Sequence, residues 1–144
     1  MKIALGNDHR GYLLKGKIAA WLKDNGHQIV DLGTDSQEPA DYPDYAHAVA
    51  KMVTGGQTER GILICGTGIG MSMAANKLKG IRAALCYKPE FAILTRKHND
   101  ANILCLGEIN GDELNLDVLK AFVNTEFEGG RHQRRVDKIA DCCC

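Results

Sequence analysis

Short apolar runs alternate with longer amphipathic stretches along the 144 residues of the chain. Five of the runs have the length and the aliphatic composition that are typical of buried strands. They cover residues 3–5, 28–32, 62–65, 81–85 and 102–106. Between the runs, apolar residues recur at the spacing of one helix face. The clearest such stripes are Leu14, Ile18, Trp21 and Leu22; Ala46, Val49, Ala50 and Val53; and Val118, Leu119, Phe122 and Val123.

This alternation predicts a parallel sheet, because the helices that connect parallel strands cover both faces of the sheet. Asn25-Gly26 is expected to end the first helix and Gly55-Gly56 the second. No repeat, linker or low-complexity segment divides the chain, whose length is that of one ordinary domain. We therefore predict a single three-layer α/β/α domain, Rossmann-like, with a five-stranded parallel sheet. It spans residues 1–144 and carries a C-terminal helical arm from about residue 126.

The composition excludes two classes of protein. The chain has 18 basic and 18 acidic residues and is 44% hydrophobic, which excludes a disordered chain and a strongly basic nucleic-acid binder. Only three consecutive apolar residues, Ile3 to Leu5, stand near the N-terminus, too few for a signal segment or a membrane span. We interpret the protein as cytoplasmic, with no nucleic-acid or membrane partner.

The six cysteines indicate a reducing compartment rather than a disulfide framework. Cys65, Cys86 and Cys105 lie in or after apolar runs and are interpreted as core or strand-end thiols. Residues 142–144 are a terminal cysteine run without a second Cys-x-x-Cys pair, so a zinc site is disfavoured and the run is interpreted as a frayed tail.

Polar residues follow the predicted strands at the positions where open parallel sheets bind ligands. Asp8 and His9 come directly after the first strand. Asp8 is either a cap for the next helix or a carboxylate of a site. His9 is either a surface residue or a group that binds phosphate or carries a proton. The residues alone leave both alternatives open.

The segment after the third strand has the most specific chemistry. Cys65 is followed by Gly66, Thr67, Gly68, Ile69 and Gly70, and then by an apolar helix. Alternating glycines let backbone N–H groups approach a ligand oxygen, and the start of a helix favours an anion at the same place. A cysteine at such a junction readily forms a thiolate. The structural alternative is a small buried thiol beside a tight turn.

Three familiar loop chemistries do not match this spacing. The glycines alternate instead of following the dinucleotide pattern, no Gly-Lys-Ser/Thr follows Gly70, and Met71 stands where a cysteine phosphatase would have arginine. What remains is a base that removes a proton beside a carbonyl while backbone donors, and the hydroxyl of Thr67, hold the enediolate.

Two further groups could complete such a site. His98, before the fifth strand, is either a second proton carrier that opens a cyclic sugar or a histidine that stabilises a helix end. Arg131 and Arg135 are four residues apart, so a helix would present both to one phosphate, with Arg134 pointing elsewhere. The alternative for this segment is a solvated basic helix end.

With these motifs assembled, the chain resembles the type B ribose-5-phosphate isomerase family, which also includes allose- and galactose-6-phosphate isomerases. The match covers almost the whole length of the chain, and it rests on seven motifs that occur in order. They lie at residues 6–11 (GNDHRG), 41–45 (DYPDY), 64–72 (ICGTGIGMS), 74–77 (AANK), 80–84 (GIRAA), 96–102 (RKHNDAN) and 128–136 (EGGRHQRRV).

The resemblance implies an aldose-ketose isomerase that interconverts ribose 5-phosphate and ribulose 5-phosphate. It implies that Cys65 moves the proton between C1 and C2, that the loop 66–70 holds the enediolate and that His98 opens the furanose ring. The other implied contacts are Asp8, Tyr42 and Asn99 to sugar hydroxyls, and His9, Arg131 and Arg135 to phosphate. No metal or organic cofactor is expected. The family assembles as dimers or larger, with the C-terminal arginines reaching a neighbouring subunit's site, so we expect a homodimer or homotetramer.

One departure from the family pattern concerns the sugar. Ile109 stands two residues after Gly107, where the resemblance leads us to expect arginine. Two alternatives therefore stay open: the same chemistry on allose or galactose 6-phosphate, and a non-catalytic phosphosugar sensor that keeps the loop and the arginines.

Overall fold

The computed structural model describes residues 1–141, so the cysteine run at 142–144 lies outside the described residues. Within residues 1–141 five strands alternate with five α-helices, and a sixth α-helix follows the fifth. The strands are β1 (Lys2–Asn7), β2 (Gln28–Asp31), β3 (Arg60–Cys65), β4 (Ala83–Leu85) and β5 (Ile103–Gly107). The helices are α1 (Tyr12–Asp24), α2 (Tyr42–Thr54), α3 (Ile69–Ala75), α4 (Pro89–Asn99), α5 (Asp112–Val123) and α6 (Arg131–Asp141). No helix among residues 1–141 is long and apolar enough to cross a bilayer.

The five strands form one parallel sheet in the order β2-β1-β3-β5-β4, which confirms the predicted α/β class. Every predicted strand is present within a few residues of its expected limits. No limit differs by more than two residues: β1 ends at Asn7 instead of residue 5, β3 begins at Arg60 instead of residue 62, and β4 begins at Ala83 instead of residue 81. The N–H of Ile81 donates to the carbonyl of Leu78, so this residue belongs to a turn instead of the ladder.

Helices cover both faces of the sheet, because the central strands are apolar on both sides. All six residues of β3 are buried. One face carries Ile3, Leu5, Ile62 and Ile64, and the buried side chains of α1, α4 and α5 pack on it. The other face carries Ala4, Leu63 and Cys105, and α2 and α3 pack on it. The three-layer arrangement follows from this two-sided burial.

Two buried arginines, Arg60 and Arg96, connect the end of the sheet where the strands begin with the C-terminal end of α5. Arg60 Nη1 donates to the carbonyls of Phe122 and Val123, at 2.9 and 3.0 Å. Arg96 Nε donates to the carbonyl of Thr125 at 3.1 Å. Both guanidinium groups lie over the Phe122 ring, with Cζ 5.6 and 5.7 Å from its centroid. The last carbonyls of a helix lack partners within the helix, and these cations satisfy them.

The C-terminal arm that we predicted from about residue 126 becomes helical only at Arg131. Gly129 and Gly130 precede the helix with φ of +67° and +56°, in the left-handed region that favours glycine. The helix then packs on the chain through His132 and Val136, its two buried residues. The arm is therefore a short irregular segment followed by a docked helix.

Adding one methyl group at two glycines should have opposite effects on stability. A Cβ at Gly61 in β3 would lie 2.6 Å from Val49 Cγ1 of α2, whereas a Cβ at Gly16 in α1 would meet nothing within 4 Å. We expect Gly61→Ala to destabilise the fold by about 1–3 kcal/mol through overpacking. We expect Gly16→Ala to stabilise it by about 0.5–1 kcal/mol through helix propensity. Urea unfolding of both variants would measure this, and equal shifts in midpoint would contradict the packing described here.

Candidate active site

The crevice at the carboxyl ends of β1 and β3 lies where the strand order reverses, because β2 is on one side of β1 and β3 on the other. The N–H of Asp8 donates to the carbonyl of Ile64 at 3.2 Å and joins the two strand ends. Asn7 is fully buried, and its amide donates to the carbonyls of Asp8 and Thr34. The residues after β1 and β3 are thereby held side by side.

Cys65 is the last residue of β3 and is 5% exposed. Its Sγ accepts a hydrogen bond from the N–H of Gly68, with an N–S distance of 3.1 Å. Gly68 has φ of +79°, and a Cβ there would lie 2.6 Å from Leu85 Cδ1 and 3.0 Å from the carbonyl carbon of Leu106. Only glycine fits this position, so the loop turns back and directs a backbone donor at the sulfur.

The same loop is held against the end of β5. A Cβ at Gly107 would lie 2.6 Å from the carbonyl oxygen of Thr67. The N–H of Ile109 donates to the carbonyl of Gly66 at 3.0 Å. The buried Asn115 donates to the carbonyl of Gly107 at 2.8 Å and keeps the turn after β5 in place. Sequence reasoning missed Asn115, which is polar in an apolar helix stripe and could have been noticed for that reason.

Thr67 and Tyr42 lie on the exposed side of the loop. Thr67 Oγ1 accepts a hydrogen bond from the N–H of Ile69 at 3.2 Å, which leaves the hydroxyl hydrogen to donate elsewhere. A Cβ at Gly70 would lie 2.7 Å from the Tyr42 ring, so this ring packs directly on the first turn of α3. Tyr42 is 41% exposed and begins α2 at the same edge of the sheet.

Asp8 and His9 have defined partners in the turn before α1. Asp8 Oδ1 accepts from the N–H groups of Arg10 and Gly11, at 2.9 and 3.2 Å. The capping residue of α1 is Gly11, so Asp8 stabilises the preceding turn instead of capping the helix itself. His9 Nδ1 accepts from the N–H of Ala40 at 3.1 Å, an arrangement that leaves Nε2 as a donor in the neutral ring.

The remaining predicted residues lie at the opposite end of the sheet, where the strands begin. His98 and Asn99 end α4, which returns the chain to the start of β5. The five residues of β5 span about 13 Å, and Cys65 pairs with its last residue. Arg131 and Arg135 lie on α6, which packs on α4. A single chain therefore does not bring these four residues to Cys65.

His98 stacks on His132, with ring centroids 4.3 Å apart and an angle of 16° between the planes. His132 is buried, and its Nε2 has no hydrogen-bond partner among residues 1–141, with Glu128 Oε1 at 3.8 Å. Burial lowers the pKa of His132, and the charges of His98, Arg131 and Arg135 lower it further. Sequence reasoning missed this stack, because no local signal connects a residue of α4 with one of α6.

His98, Glu128 and His132 have potential metal-ligand atoms that lie within 4.8 Å of one another. An imidazole binds a metal in the plane of its ring, along the lone pair of its nitrogen. Two nearly parallel stacked rings direct their lone pairs in separate parallel planes, so one ion cannot lie in both. The observed arrangement fits a stacked pair of histidines and does not fit a zinc ion.

Two of the other cysteines are core thiols, as predicted. Cys86 and Cys105 are buried, and neither belongs to the glycine loop. Burial raises the pKa of Cys86 to about 11 and raises that of Cys105 as well. Both side chains therefore carry a protonated, unreactive thiol at neutral pH.

A family model described as Ribose/Galactose Isomerase matches residues 3–139. The chain belongs to this family. It is 50% identical over 139 residues to ribose-5-phosphate isomerase B of Escherichia coli, covering 96% of this chain and 93% of that relative. It is 48% identical over 143 residues to a putative sugar phosphate isomerase of Bacillus subtilis, covering 98% and 96% of the two chains.

Solved structures agree with this membership. The fold matches ribose-5-phosphate isomerase B of Clostridium thermocellum with a TM-score of 0.96 and 51% identity, covering 98% of this chain and 96% of the other. It matches the type B enzyme of Trypanosoma brucei with a TM-score of 0.94 and 44% identity, covering 97% of each chain. The predicted family, fold class and isomerase activity are confirmed.

The lowered pKa of His132 predicts an acid-sensitive contact between α6 and α4. In the unfolded chain this histidine binds a proton near pH 6.5, whereas in the folded chain it does so only at lower pH. At a pH between these two pKa values the unfolded state binds more protons than the folded state. The free energy of unfolding therefore decreases as the pH falls.

We expect His132→Gln to reduce this decrease between about pH 7 and about pH 5, because glutamine does not titrate. Thermal unfolding of both proteins across this range would measure the effect. Identical pH dependence in the two proteins would contradict it.

Proposed function

We propose that this chain interconverts ribose 5-phosphate and ribulose 5-phosphate through an enediolate, with Cys65 as the base. The observation that carries the proposal is the hydrogen bond from the Gly68 N–H to Cys65 Sγ at 3.1 Å, in a loop whose shape requires glycine. Relatives named ribose-5-phosphate isomerase B, at about half identity over nearly the whole chain, support the choice of sugar.

The proposed reaction moves one proton between neighbouring carbons. Cys65 as thiolate takes the proton from C2 of the open-chain aldose, and the C2–H electron pair forms the double bond of the enediolate. The negative charge moves to the oxygen on C1, where the N–H groups of the loop and the Thr67 hydroxyl donate to it. The proton of the C2 hydroxyl then passes to the oxygen on C1, so that the negative charge lies on the oxygen of C2. Cys65 returns its proton to C1, and the electron pair on the C2 oxygen forms the carbonyl of the ketose. No electron acceptor is consumed.

His98 and the polar groups around the crevice have separate roles in this proposal. His98 transfers the proton that opens the furanose ring, a step that a histidine near neutrality performs in both directions. Asp8, Tyr42 and Asn99 bind sugar hydroxyls. His9, with Nε2 free to donate, binds the phosphate together with Arg131 and Arg135.

The arrangement of α6 supports the pairing of these two arginines. Successive residues of a helix are about 100° apart, so Arg131 and Arg135 lie about 40° from each other, both on the same side of the buried stripe of His132 and Val136. Arg134 lies on nearly the opposite side of the helix from that stripe. All three arginines are exposed, so their guanidinium groups are accessible to an anion.

We infer that the site is completed by a second copy of the chain. Cys65 and the residues after β1 and β3 lie where the strands end, whereas His98 lies at the opposite end of the sheet, where the strands begin. A substrate of five carbons cannot reach both. Exposed apolar side chains flank the edge strand β4 and provide a surface for a second copy. They are Ile69 and Met73 around α3, and Tyr87, Phe91 and Leu94 around α4.

Removing the Cys65 thiol should abolish turnover while leaving binding nearly unchanged. General-base removal typically costs about 10² to 10⁴ in rate, so we expect Cys65→Ala to lose at least about a hundredfold in kcat. Isomerisation of ribose, allose and galactose phosphates would be assayed together, with calorimetry for binding. Ribose 5-phosphate is expected to be the best substrate. Faster turnover of allose or galactose phosphate would instead assign a six-carbon sugar phosphate as the substrate.

The matched control is Cys86→Ala, because Cys86 is a buried thiol outside the loop. This variant is expected to keep its kcat. Near-normal turnover by Cys65→Ala would refute the role of Cys65, and binding without turnover by the unaltered protein would indicate a sensor.

A site shared between chains predicts that two inactive variants restore each other. In a mixed dimer of Cys65→Ala and His98→Ala, one of the two sites receives both intact groups. Random mixing should therefore recover about a quarter of the original activity. Activity after co-refolding the two variants would be measured against each variant alone.

The control mixture is Cys65→Ala with Asp8→Ala. Both residues lie at the carboxyl ends of the strands, so each site takes both of them from the same chain. Every site of that mixture has a defect, so it should stay inactive. A site built within one chain predicts no recovery in either mixture.

A further inference from the structure

Arg10 lies in the turn between β1 and α1 and extends across the start of the glycine loop. A Cβ at Gly66 would lie 3.8 Å from Arg10 Cγ and 3.9 Å from Arg10 Cβ, so the aliphatic part of the side chain packs on that residue. Its Nη2 then donates to Glu108 Oε2 at 2.9 Å. The side chain thus connects the turn after β1 with the turn after β5, directly over the residue that follows Cys65.

Both ends of this connection are held by the backbone contacts that shape the Cys65 loop. The N–H of Arg10 donates to Asp8 Oδ1 at 2.9 Å. The carbonyl of Glu108 accepts from the N–H of Gly111 at 3.0 Å, and the next residue, Ile109, donates to the carbonyl of Gly66. The two charges are therefore positioned relative to the crevice even though their side-chain ends are in water.

The pair is suited to exchange partners. The Arg10 and Glu108 side chains are 59% and 39% exposed, and an ion pair this exposed contributes little to stability. A guanidinium binds a phosphate through two parallel hydrogen bonds, which are stronger than its bond to one exposed carboxylate oxygen. Phosphate can therefore displace Glu108 from Arg10.

Exposure also decides which negative charge Arg10 binds. A donor that stabilises a developing enediolate works best where water is excluded, as beside the buried sulfur of Cys65. Arg10 is in contact with water, so it suits the permanent charge of a bound phosphate and acts before the proton is transferred.

We propose that Arg10 binds the phosphate group of the substrate, and that Glu108 holds Arg10 in the empty site and competes with the phosphate for it. This inference rests on the proposed function, because that function supplies the phosphate. It adds a substrate-binding residue and an opposing carboxylate, and Glu108 thereby sets the substrate affinity.

The test compares Arg10→Met, Glu108→Gln and the double variant. Methionine retains the packing on Gly66 without the charge. We expect Arg10→Met to raise KM for ribose 5-phosphate and the Kd of inorganic phosphate by about tenfold, with kcat within about twofold. Glu108→Gln should lower both constants several-fold, and this gain should disappear in the double variant.

Lys17→Met and Asp112→Asn are the matched controls, since Lys17 and Asp112 form another exposed ion pair between α1 and α5. Neither control should change KM. A reduced kcat with unchanged KM in Arg10→Met would overturn the inference, as would a Glu108→Gln effect that persists in the double variant. Phosphate binding is measured by calorimetry without turnover, so the inference is tested even if the unaltered protein isomerises none of the sugars.

Discussion

The close approach of the loop after β3 to the end of β5 is the contact on which the site depends. Gly107 leaves no room for a side chain beneath the carbonyl of Thr67, and Gly68 leaves none beside Leu106. A larger residue at either place would move the loop and withdraw the Gly68 N–H from Cys65 Sγ. The donor is therefore held in place by packing, so it needs no rearrangement when negative charge develops nearby.

The parallel topology explains why one chain holds only half of the predicted site. Each helix returns the chain to the amino-terminal edge of the sheet, so the residues at the end of α4 lie a full strand length from Cys65. Local movement cannot close this distance, because salt bridges and hydrogen bonds hold the segment after α4 in place. Asp100 binds both Arg82 and Arg96 directly after α4, and Arg96 also binds the segment after α5. This separation is the reason that we propose a second copy of the chain as the source of the missing groups.

Burial divides the site into two environments. Cys65 and Gly68, which supplies its hydrogen-bond donor, are buried, and fixed hydrogen bonds are strong in such surroundings. Arg10 and Glu108 lie above them in water, where charges exchange partners easily. We propose that proton transfer takes place in the first environment and anion binding in the second, with the single residue Gly66 between them.

The layers, the five strands and the loop after Cys65 could all be predicted from the order of residues along the chain. Each depends on local pattern: apolar runs of strand length, stripes at helical spacing, and glycines at alternate positions. Asp8 and Thr67 could also be selected, because a parallel sheet places the residues after its strands at one end, whereas Tyr42 was indicated only by the family resemblance. Features that depend on the distance between elements become visible only in the folded chain. It separates His98 from Cys65, stacks His98 on His132, and places Arg10 opposite Glu108. None of these contacts leaves a periodic trace along the chain, because each joins residues whose positions are set by how the helices and strands pack.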